Sequence, residues 1–130
     1  MLDLQNKTNF QFPKHQRLTH KKRIAELFAD GISIKAFPFR LKYLTNTLTH
    51  HRILIAVPKR NVPLASNRNR IKRLMREAFR LNQKYLKSNP SYFDILFIFT
   101  GKEQHDFKLV ENKLLHLIEQ INTESLKKLA

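Results

Sequence analysis

The sequence predicts a single α+β domain in which helices cover a sheet of three or four strands. The chain has 130 residues, the length of one ordinary domain, and it contains neither an internal repeat nor a linker. Apolar residues make up 42% of it, which is too many for a disordered basic tail and enough for one core. Their spacing alternates between the helical period and a period of two, and it predicts the order helix, two or three strands, helix, strand, helix.

The first half of the chain predicts one helix and two or three strands. Apolar residues at helical spacing predict a helix from Leu18 to Ala29, which the Asp30-Gly31 pair ends. From Phe37 to Tyr43 apolar and polar residues alternate, which is typical of a strand with one covered face. Another strand is predicted from Arg52 to Val57, and residues 32–36 could add a short strand before these two.

The second half predicts a long helix, a buried strand and a last helix. The long helix runs from Ser66 to Lys87. Tyr92 to Phe99 is an almost unbroken apolar run, which predicts a strand covered on both faces. We expect its single charge, Asp94, to be a strand-end or paired acid rather than a catalyst. The last helix is predicted from Asp106, as its cap, to Ile121.

Several classes of function are excluded by what the sequence lacks. Without cysteine there is no thiol nucleophile and no cysteine-bound zinc, and two glycines are too few for a glycine-rich phosphate loop. None of the six histidines is spaced for a metal site, so we expect no catalytic residue and no metal ligand in the protein. No apolar run is long enough to span a membrane and no signal peptide is evident, which predicts a cytoplasmic protein. Residues 1–16 and 122–130 could be loose.

The charge of the chain is large and concentrated in one segment. Lys and Arg number 25 against 10 Asp and Glu, a formal net charge of +15, which favours a polyanionic partner. Between residues 59 and 87 there is one acidic residue, Glu77. The basic residues of the same segment are Lys59, Arg60, Arg68, Arg70, Lys72, Arg73, Arg76, Arg80, Lys84 and Lys87. We therefore expect the partner to bind mainly here.

A helical projection separates the long helix into two faces. Ile71 and Met75 lie on an apolar stripe that can pack on a sheet, whereas six basic residues between Lys72 and Lys87 lie on the opposite side. A solvated helix without a partner, or a helix on a membrane surface, could show the same segregation. Arginine predominates here, however, and its planar guanidinium suits phosphate, so we favour nucleic acid. Because a strand and a proline-containing loop precede the helix, we favour folded RNA over DNA.

The segment from Asn67 to Arg80 resembles the RNR signature of the bacterial ribonuclease P protein component. The matching residues are Arg68-Asn69-Arg70, the apolar Ile71, Lys72-Arg73, Arg76 and Ala78-Phe79. Further matches to that family are the Arg17-Leu18 opening, Phe28 and Gly31, the Lys59-Arg60 pair and the strand Phe93-Asp94-Ile95. The resemblance covers residues 14–121 of the chain.

This resemblance implies both a fold and a function. The fold is an αβββαβα sandwich like that of a ribosomal protein domain, with a left-handed βαβ crossover around the long helix. The function is that of the protein subunit of ribonuclease P, which removes the 5′ leader of precursor tRNA by phosphodiester hydrolysis. In this family catalysis belongs to the RNA subunit, which holds most of the Mg²⁺. The implied partners are ribonuclease P RNA and precursor tRNA, with no membrane and no evident protein partner.

The resemblance also assigns residues to two sites. The residues expected to contact the RNA subunit are Lys59, Arg60, Arg68, Asn69, Arg70, Lys72, Arg73, Arg76 and Arg80. The residues expected in a leader-binding cleft between the first helix, the RNR helix and the sheet are Arg17, Phe28, Phe39 and Tyr43. At two positions where the family has an aromatic residue, this chain has Ile24 and either Lys42 or Tyr43. We therefore expect Phe39 and Tyr43 to supply the rings on which bases stack. All three aromatics could equally belong to the core.

Two other interpretations stay open at this point. A ribosomal-type protein that anchors one site of ribosomal RNA, without a substrate, would carry a similar basic helix. A DNA-binding regulator would do so as well, but duplex DNA would then compete for the chain as strongly as structured RNA does at matched salt.

Overall fold

The order of helices and strands, αβββαβα, is the one that the sequence predicts. The computed structural model describes residues 13–86 and 91–129, with the side chains of the last helix described as far as residue 125. The elements are α1 (Lys21–Asp30), β1 (Ile32–Ala36), β2 (Phe39–Asn46), β3 (Arg52–Ala56), α2 (Ala65–Asn82), β4 (Tyr92–Phe99) and α3 (Phe107–Leu129). Two short 3-10 turns, Lys14–Gln16 and Gln83–Tyr85, precede α1 and follow α2. The short strand expected at residues 32–36 is thereby confirmed.

The four strands form one sheet in the order β1-β2-β4-β3. β2 is antiparallel to both β1 and β4, whereas β3 is parallel to β4. α2 therefore lies in the connection between two parallel neighbours, and the left-handed sense of this crossover stays a prediction. β1 and β3 are the edge strands, and on the outer side of β3 a single parallel bridge joins Ile53 to Arg17.

Both faces of the sheet are covered, and alternation along β2 distributes its side chains between them. The larger core, between the sheet and the helices α2 and α3, contains Phe39 and Tyr43. The smaller core lies under α1, where Leu27 packs with Leu96 of β4 and Leu44 of β2. Because β4 contributes to both cores, the prediction of a strand covered on both faces is confirmed.

α1 is shorter than predicted at its start for a local reason. It begins at Lys21 rather than Leu18, because the Leu18 N–H donates to the carbonyl oxygen of Ile53 over 3.0 Å and so extends the sheet. The helix ends at Gly31, as predicted. A Cβ at that position would lie 2.4 Å from the carbonyl oxygen of Leu27, so the tight approach requires glycine.

The other two helices end at positions other than those predicted. α2 ends at Asn82, before the predicted Lys87, and a single 3-10 turn follows it. Asp106 caps α3 as expected, since its Oδ1 accepts a hydrogen bond of 3.0 Å from the Leu109 N–H. α3 continues to Leu129, so residues 122–129 extend the helix instead of fraying. Of the expected loose N-terminus, residues 14–16 form a turn, and residues 1–12 lie outside the described part.

Asp94 fastens α1 to the sheet. Its fully buried carboxylate accepts hydrogen bonds from Arg23 Nε (2.7 Å), from Arg52 Nε (2.8 Å) and Nη2 (2.7 Å), and from Asn46 Nδ2 (2.9 Å). Arg23 also donates to the Thr45 carbonyl oxygen over 2.7 Å. Burial alone would raise the pKa of Asp94, but the bonds from Arg52, Arg23 and Asn46 outweigh it and hold the pKa below its ordinary value. The prediction that Asp94 is a paired acid is confirmed.

Candidate nucleic-acid interface

α2 presents its basic residues on the side opposite its buried stripe. Ile71, Met75 and Phe79 are buried in the larger core. Of the nine residues expected to contact the RNA subunit, the exposed ones are Lys59, Arg60, Asn69, Arg70, Arg73 and Arg80, and the half-buried ones are Arg68, Lys72 and Arg76. The two faces that the helical projection predicts are therefore present, and we call the basic side the cationic ridge.

Little negative charge accompanies the cationic ridge. Glu77 is the one acidic residue in α2, and it forms an ion pair with Arg80 one turn away. In residues 13–86 and 91–125, neither Lys72 nor Arg76 forms an ion pair with a carboxylate. A surface of this kind repels itself unless an external polyanion neutralises it.

Arg68 has a structural task in addition to its charge. Its Nη1 donates to the carbonyl oxygens of Val62 (2.9 Å) and Pro63 (2.7 Å), in the loop that leads into α2. These bonds fix the entry of the chain into the helix. Arg68 therefore positions the start of the cationic ridge, and its remaining guanidinium nitrogens can still face a ligand.

Arg76 is the basic residue of α2 whose surroundings are least favourable in the free protein. Its Nε is buried and has no hydrogen-bond partner in the described residues. Burial, together with the charge of Arg73, lowers the pKa of Arg76 below its ordinary value. A half-buried guanidinium without an acceptor is stabilised by an anion that fills the missing bond.

A second basic surface lies beside α1, on the opposite face of the sheet from the larger core. Phe28 of α1 is 53% exposed. Lys42 of β2 donates from Nζ to the Phe28 carbonyl oxygen over 2.7 Å, and its ammonium lies 5.6 Å from the centre of the Phe28 ring. Arg40, two residues earlier in β2, is half-buried on the same face, and its buried Nε has no hydrogen-bond partner among residues 13–86 and 91–125. Phe28, Lys42 and Arg40 together form what we call the α1 cleft.

The expected stacking of bases on Phe39 and Tyr43 is wrong. The two side chains are 1% and 3% exposed and lie in the larger core, against the aromatic rings of β4. The reason is the alternation of β2, which turns Phe39 and Tyr43 away from the α1 cleft and turns Lys42 towards it. Ile24 is half-buried and packs in the smaller core, so it offers no ring either.

Arg17 lies at the outer edge of β3, where its backbone pairs with Ile53. Lys42 of β2, and the Phe28 ring that it approaches, lie beyond β4. The assignment of Arg17 to a leader-binding cleft stays a prediction. Arg40 is a cleft residue that sequence reasoning missed, although the alternation that places Phe39 in the core already turns Arg40 and Lys42 to the other face.

His51 is a buried histidine with a structural hydrogen bond. His51 is buried, and its Nδ1 accepts a hydrogen bond of 3.0 Å from the Phe93 N–H. Burial, with a smaller effect of His50, lowers the pKa of His51 to about 4, so it is neutral at pH 7. Among the described residues no group of three His, Asp or Glu side chains could hold a metal ion, and no described helix is long and apolar enough to cross a membrane.

Comparisons with known proteins agree with this architecture. The family model described as Ribonuclease P matches residues 12–122. The ribonuclease P protein component of Porphyromonas gingivalis is 31% identical over 112 residues, which span 81% of this chain and 82% of that protein. Its counterpart from Thermotoga maritima is 34% identical over 115 residues, which span 85% of this chain and 95% of that protein.

Solved structures show the same relationship. The ribonuclease P protein from Thermotoga maritima superposes with a TM-score of 0.70 at 32% identity, over 81% of this chain and 96% of that one. The ribonuclease P protein from Staphylococcus aureus superposes with a TM-score of 0.68 at 24% identity, over 80% and 93% of the two chains, and it supports the fold alone.

Proposed function

The chain belongs to the ribonuclease P protein family, and from this premise we propose how it serves the tRNA-processing ribonucleoprotein of which it is the protein subunit. The cationic ridge binds ribonuclease P RNA, and the α1 cleft binds the 5′ leader of precursor tRNA. The observation that carries the proposal is the segregation of α2 into a buried apolar stripe and a basic side with one carboxylate. An RNA backbone supplies the negative charge that the ridge lacks.

Several contacts on the ridge are assigned in this proposal. Arg70 and Arg73 are exposed and offer guanidinium groups to phosphate, with Asn69 beside them as a neutral donor. Lys59 and Arg60 extend the basic surface to the end of β3. Each phosphate contact releases counterions, so binding weakens steeply as salt rises.

The α1 cleft is built to hold a leader by its phosphates more than by its bases. Arg40 and Lys42 are half-buried cations on the floor of the cleft. The Phe28 ring is exposed, but Lys42 covers part of it. Contacts to phosphate do not depend on base identity, so the cleft accepts leaders of different sequence.

Phosphodiester hydrolysis is assigned to the RNA subunit, with Mg²⁺ held mainly by that RNA. The described residues do not fit a Mg²⁺ site, because carboxylate oxygens are its usual protein ligands and the ridge offers guanidinium and ammonium groups instead. The protein contributes affinity for the substrate and stabilises the RNA. We also propose a cytoplasmic location, since both proposed partners are intracellular RNAs.

Cleavage of precursor tRNA at low Mg²⁺ tests the proposal. Ribonuclease P RNA is assayed with and without the purified chain, on precursor tRNA with its leader. We expect the chain to increase cleavage over RNA alone, because it neutralises phosphate charge that Mg²⁺ otherwise screens. No gain would refute the proposal and favour a substrate-free RNA-binding protein, and equal competition by duplex DNA at matched salt would favour a DNA-binding protein.

A further inference from the structure

A groove between β1 and α3 lies on the opposite face of the sheet from the α1 cleft. One cavity of about 340 Å³ lies between Ile34 of β1 and the α3 residues Glu119 and Glu124. A smaller cavity of about 70 Å³ lies between Ile32 of β1, Tyr43 of β2 and the same Glu124. Because the two cavities share Glu124, they are neighbouring compartments of one groove, which we call the α3 groove.

The α3 groove is acidic in a chain that is otherwise strongly basic. Residues 102–125 contain five of the ten acidic residues of the chain and three of its 25 basic ones. Glu119 is exposed and Glu124 is half-buried, and both line the larger cavity. Interactions between exposed charges are screened over about 8–10 Å at physiological salt, so the local carboxylates outweigh the distant basic surfaces. The groove therefore suits a cation.

Tyr43 indicates that the smaller cavity holds a polar group. Tyr43 is 3% exposed, and its buried hydroxyl has no hydrogen-bond partner in the described part of the chain. Burial, with a smaller effect of the Glu124 charge, raises the pKa of Tyr43, so the hydroxyl is neutral at pH 7 and lies near that carboxylate. Buried hydroxyl groups nearly always have a partner. An ammonium group can supply it, because it donates both to the hydroxyl oxygen and to the carboxylate.

The positions of the two carboxylates favour a ligand with two ammonium groups. Glu119 and Glu124 are five residues apart, which corresponds to about 7.5 Å along the axis of α3. Ile32 and Ile34 are half-buried on the α3 side of β1 and offer an apolar surface beside them. A chain of methylene groups can cover that surface while an ammonium group at each end stays with a carboxylate.

We propose that the α3 groove binds a linear aliphatic diamine or polyamine. One ammonium group donates to the Tyr43 hydroxyl oxygen and to Glu124, the other binds Glu119, and the methylene chain lies along Ile32 and Ile34. A hydrated Mg²⁺ ion does not fit the smaller cavity, because it retains several waters in an octahedral shell. The site uses no residue of the cationic ridge or of the α1 cleft, so it is independent of the proposed function.

Titration of the isolated full-length chain with 1,4-diaminobutane tests the groove. The readouts are the NMR signals of the Tyr43 ring and of the Ser125 amide, since Ser125 also lines the smaller cavity. n-Butylamine and Mg²⁺, at matched ionic strength, are the comparison probes. We expect the diamine to shift both signals at a concentration at least tenfold lower than the monoamine, and Mg²⁺ to shift neither.

Three variants and a charge control assign the contacts. Glu124→Gln is expected to weaken diamine binding at least tenfold, and Tyr43→Phe, which keeps the ring in the core, several-fold. Glu119→Gln is expected to weaken diamine binding about tenfold and to leave butylamine binding unchanged, because the monoamine occupies the smaller cavity alone. Glu103→Gln removes the same charge from an exposed position outside the groove and should change binding less than twofold.

Two results would overturn the proposal. Equal affinities for the diamine and the monoamine, or equal effects of Glu119→Gln and Glu103→Gln, would show that the groove does not hold two ammonium groups. Unmoved Tyr43 and Ser125 signals at millimolar diamine, in a chain with a native circular dichroism spectrum, would leave water as the partner of the Tyr43 hydroxyl. Glu119 is exposed and outside the core, so its variant keeps the test valid if Tyr43→Phe does not fold.

Discussion

Replacement of Asp94 by Asn tests how strongly the buried ion pairs hold α1 on the sheet. The substitution keeps the shape of the side chain but removes the negative charge that Arg23 and Arg52 share. Breaking a buried ion pair from one side costs about 3–5 kcal/mol, because the remaining charge is left without compensation. Here the two guanidinium side chains are 22% and 17% exposed, so water compensates them in part. We therefore expect a loss of about 3 kcal/mol of the free energy of unfolding.

Urea unfolding followed by circular dichroism measures this loss, with Asp106→Asn as the matched control. Asp106 is an exposed helix cap, and Asn caps helices about as well as Asp, so the control is expected to change stability by less than about 0.5 kcal/mol. In thermal unfolding Asp94→Asn should lower the Tm by about 10 °C. A difference between the two variants of less than about 1 kcal/mol would refute the inferred role of the Asp94 cluster.

The pH dependence of the stability of Asp94→Asn tests the direction of the Asp94 pKa shift independently. The pKa of Asp94 is lowered in the folded chain, so its contribution to stability is complete above the unfolded value and is lost as pH falls through the folded one. The stability gap between wild type and Asp94→Asn should therefore be constant near pH 7 and close below about pH 4. Because Arg23 also binds the Thr45 carbonyl oxygen beside the α1 cleft, folded Asp94→Asn should bind leader more weakly.

Three further predictions concern the two basic surfaces and one buried histidine. Arg73→Ala should weaken binding of ribonuclease P RNA and lower the slope of log affinity against log salt by about 1 in filter binding, while circular dichroism shows an intact fold. Lys42→Gln should reduce the affinity for precursor tRNA about tenfold and leave the affinity for mature tRNA unchanged. Phe28→Leu should change both affinities little, and a larger effect would indicate base stacking. The pKa of His51 is about 4 in the folded chain and 6.5 in the unfolded one, so the free energy of unfolding of the wild type should fall by up to about 3 kcal/mol between pH 6.5 and pH 4. Urea midpoints of His51→Gln should not show this decrease with pH.

Periodicity predicted most of the fold because burial is decided locally along each element. The apolar run of β4 and the stripe of α2 each required only that one set of side chains leave water, and both are buried as expected. Pairing required tertiary structure. Asp94 is recognisable as an acid in need of partners, but Arg23 and Arg52 are far from it in sequence. The sheet register places Arg52 opposite Asp94, and the packing of α1 on the sheet brings Arg23 to it.

The site was predicted less completely than the fold, because a residue type does not reveal which face it occupies. Arg68 matches a basic signature, yet its guanidinium holds the loop before α2. Arg17 matches the start of the family's sequences, and its backbone pairs with Ile53 at the outer edge of β3. The carbonyl groups that Arg68 contacts lie only five and six residues before it, in a loop whose course the periodicity does not predict. The partner of Arg17 comes from a distant segment, and its position depends on the assembled sheet.

The register of β2 decides the chemistry of the α1 cleft. Alternation commits Phe39 and Tyr43 to the larger core, where they contact the rings of β4, and a shift of one residue would expose those rings and bury Arg40 and Lys42. The cost of burying two cations excludes that shift. The same alternation that builds the core therefore leaves charged groups, and not stacking rings, on the strand that faces the proposed leader. If the leader binds there, neutral methylphosphonate linkages in it should weaken binding more than abasic sites do, and the reverse order would show that the cleft reads bases.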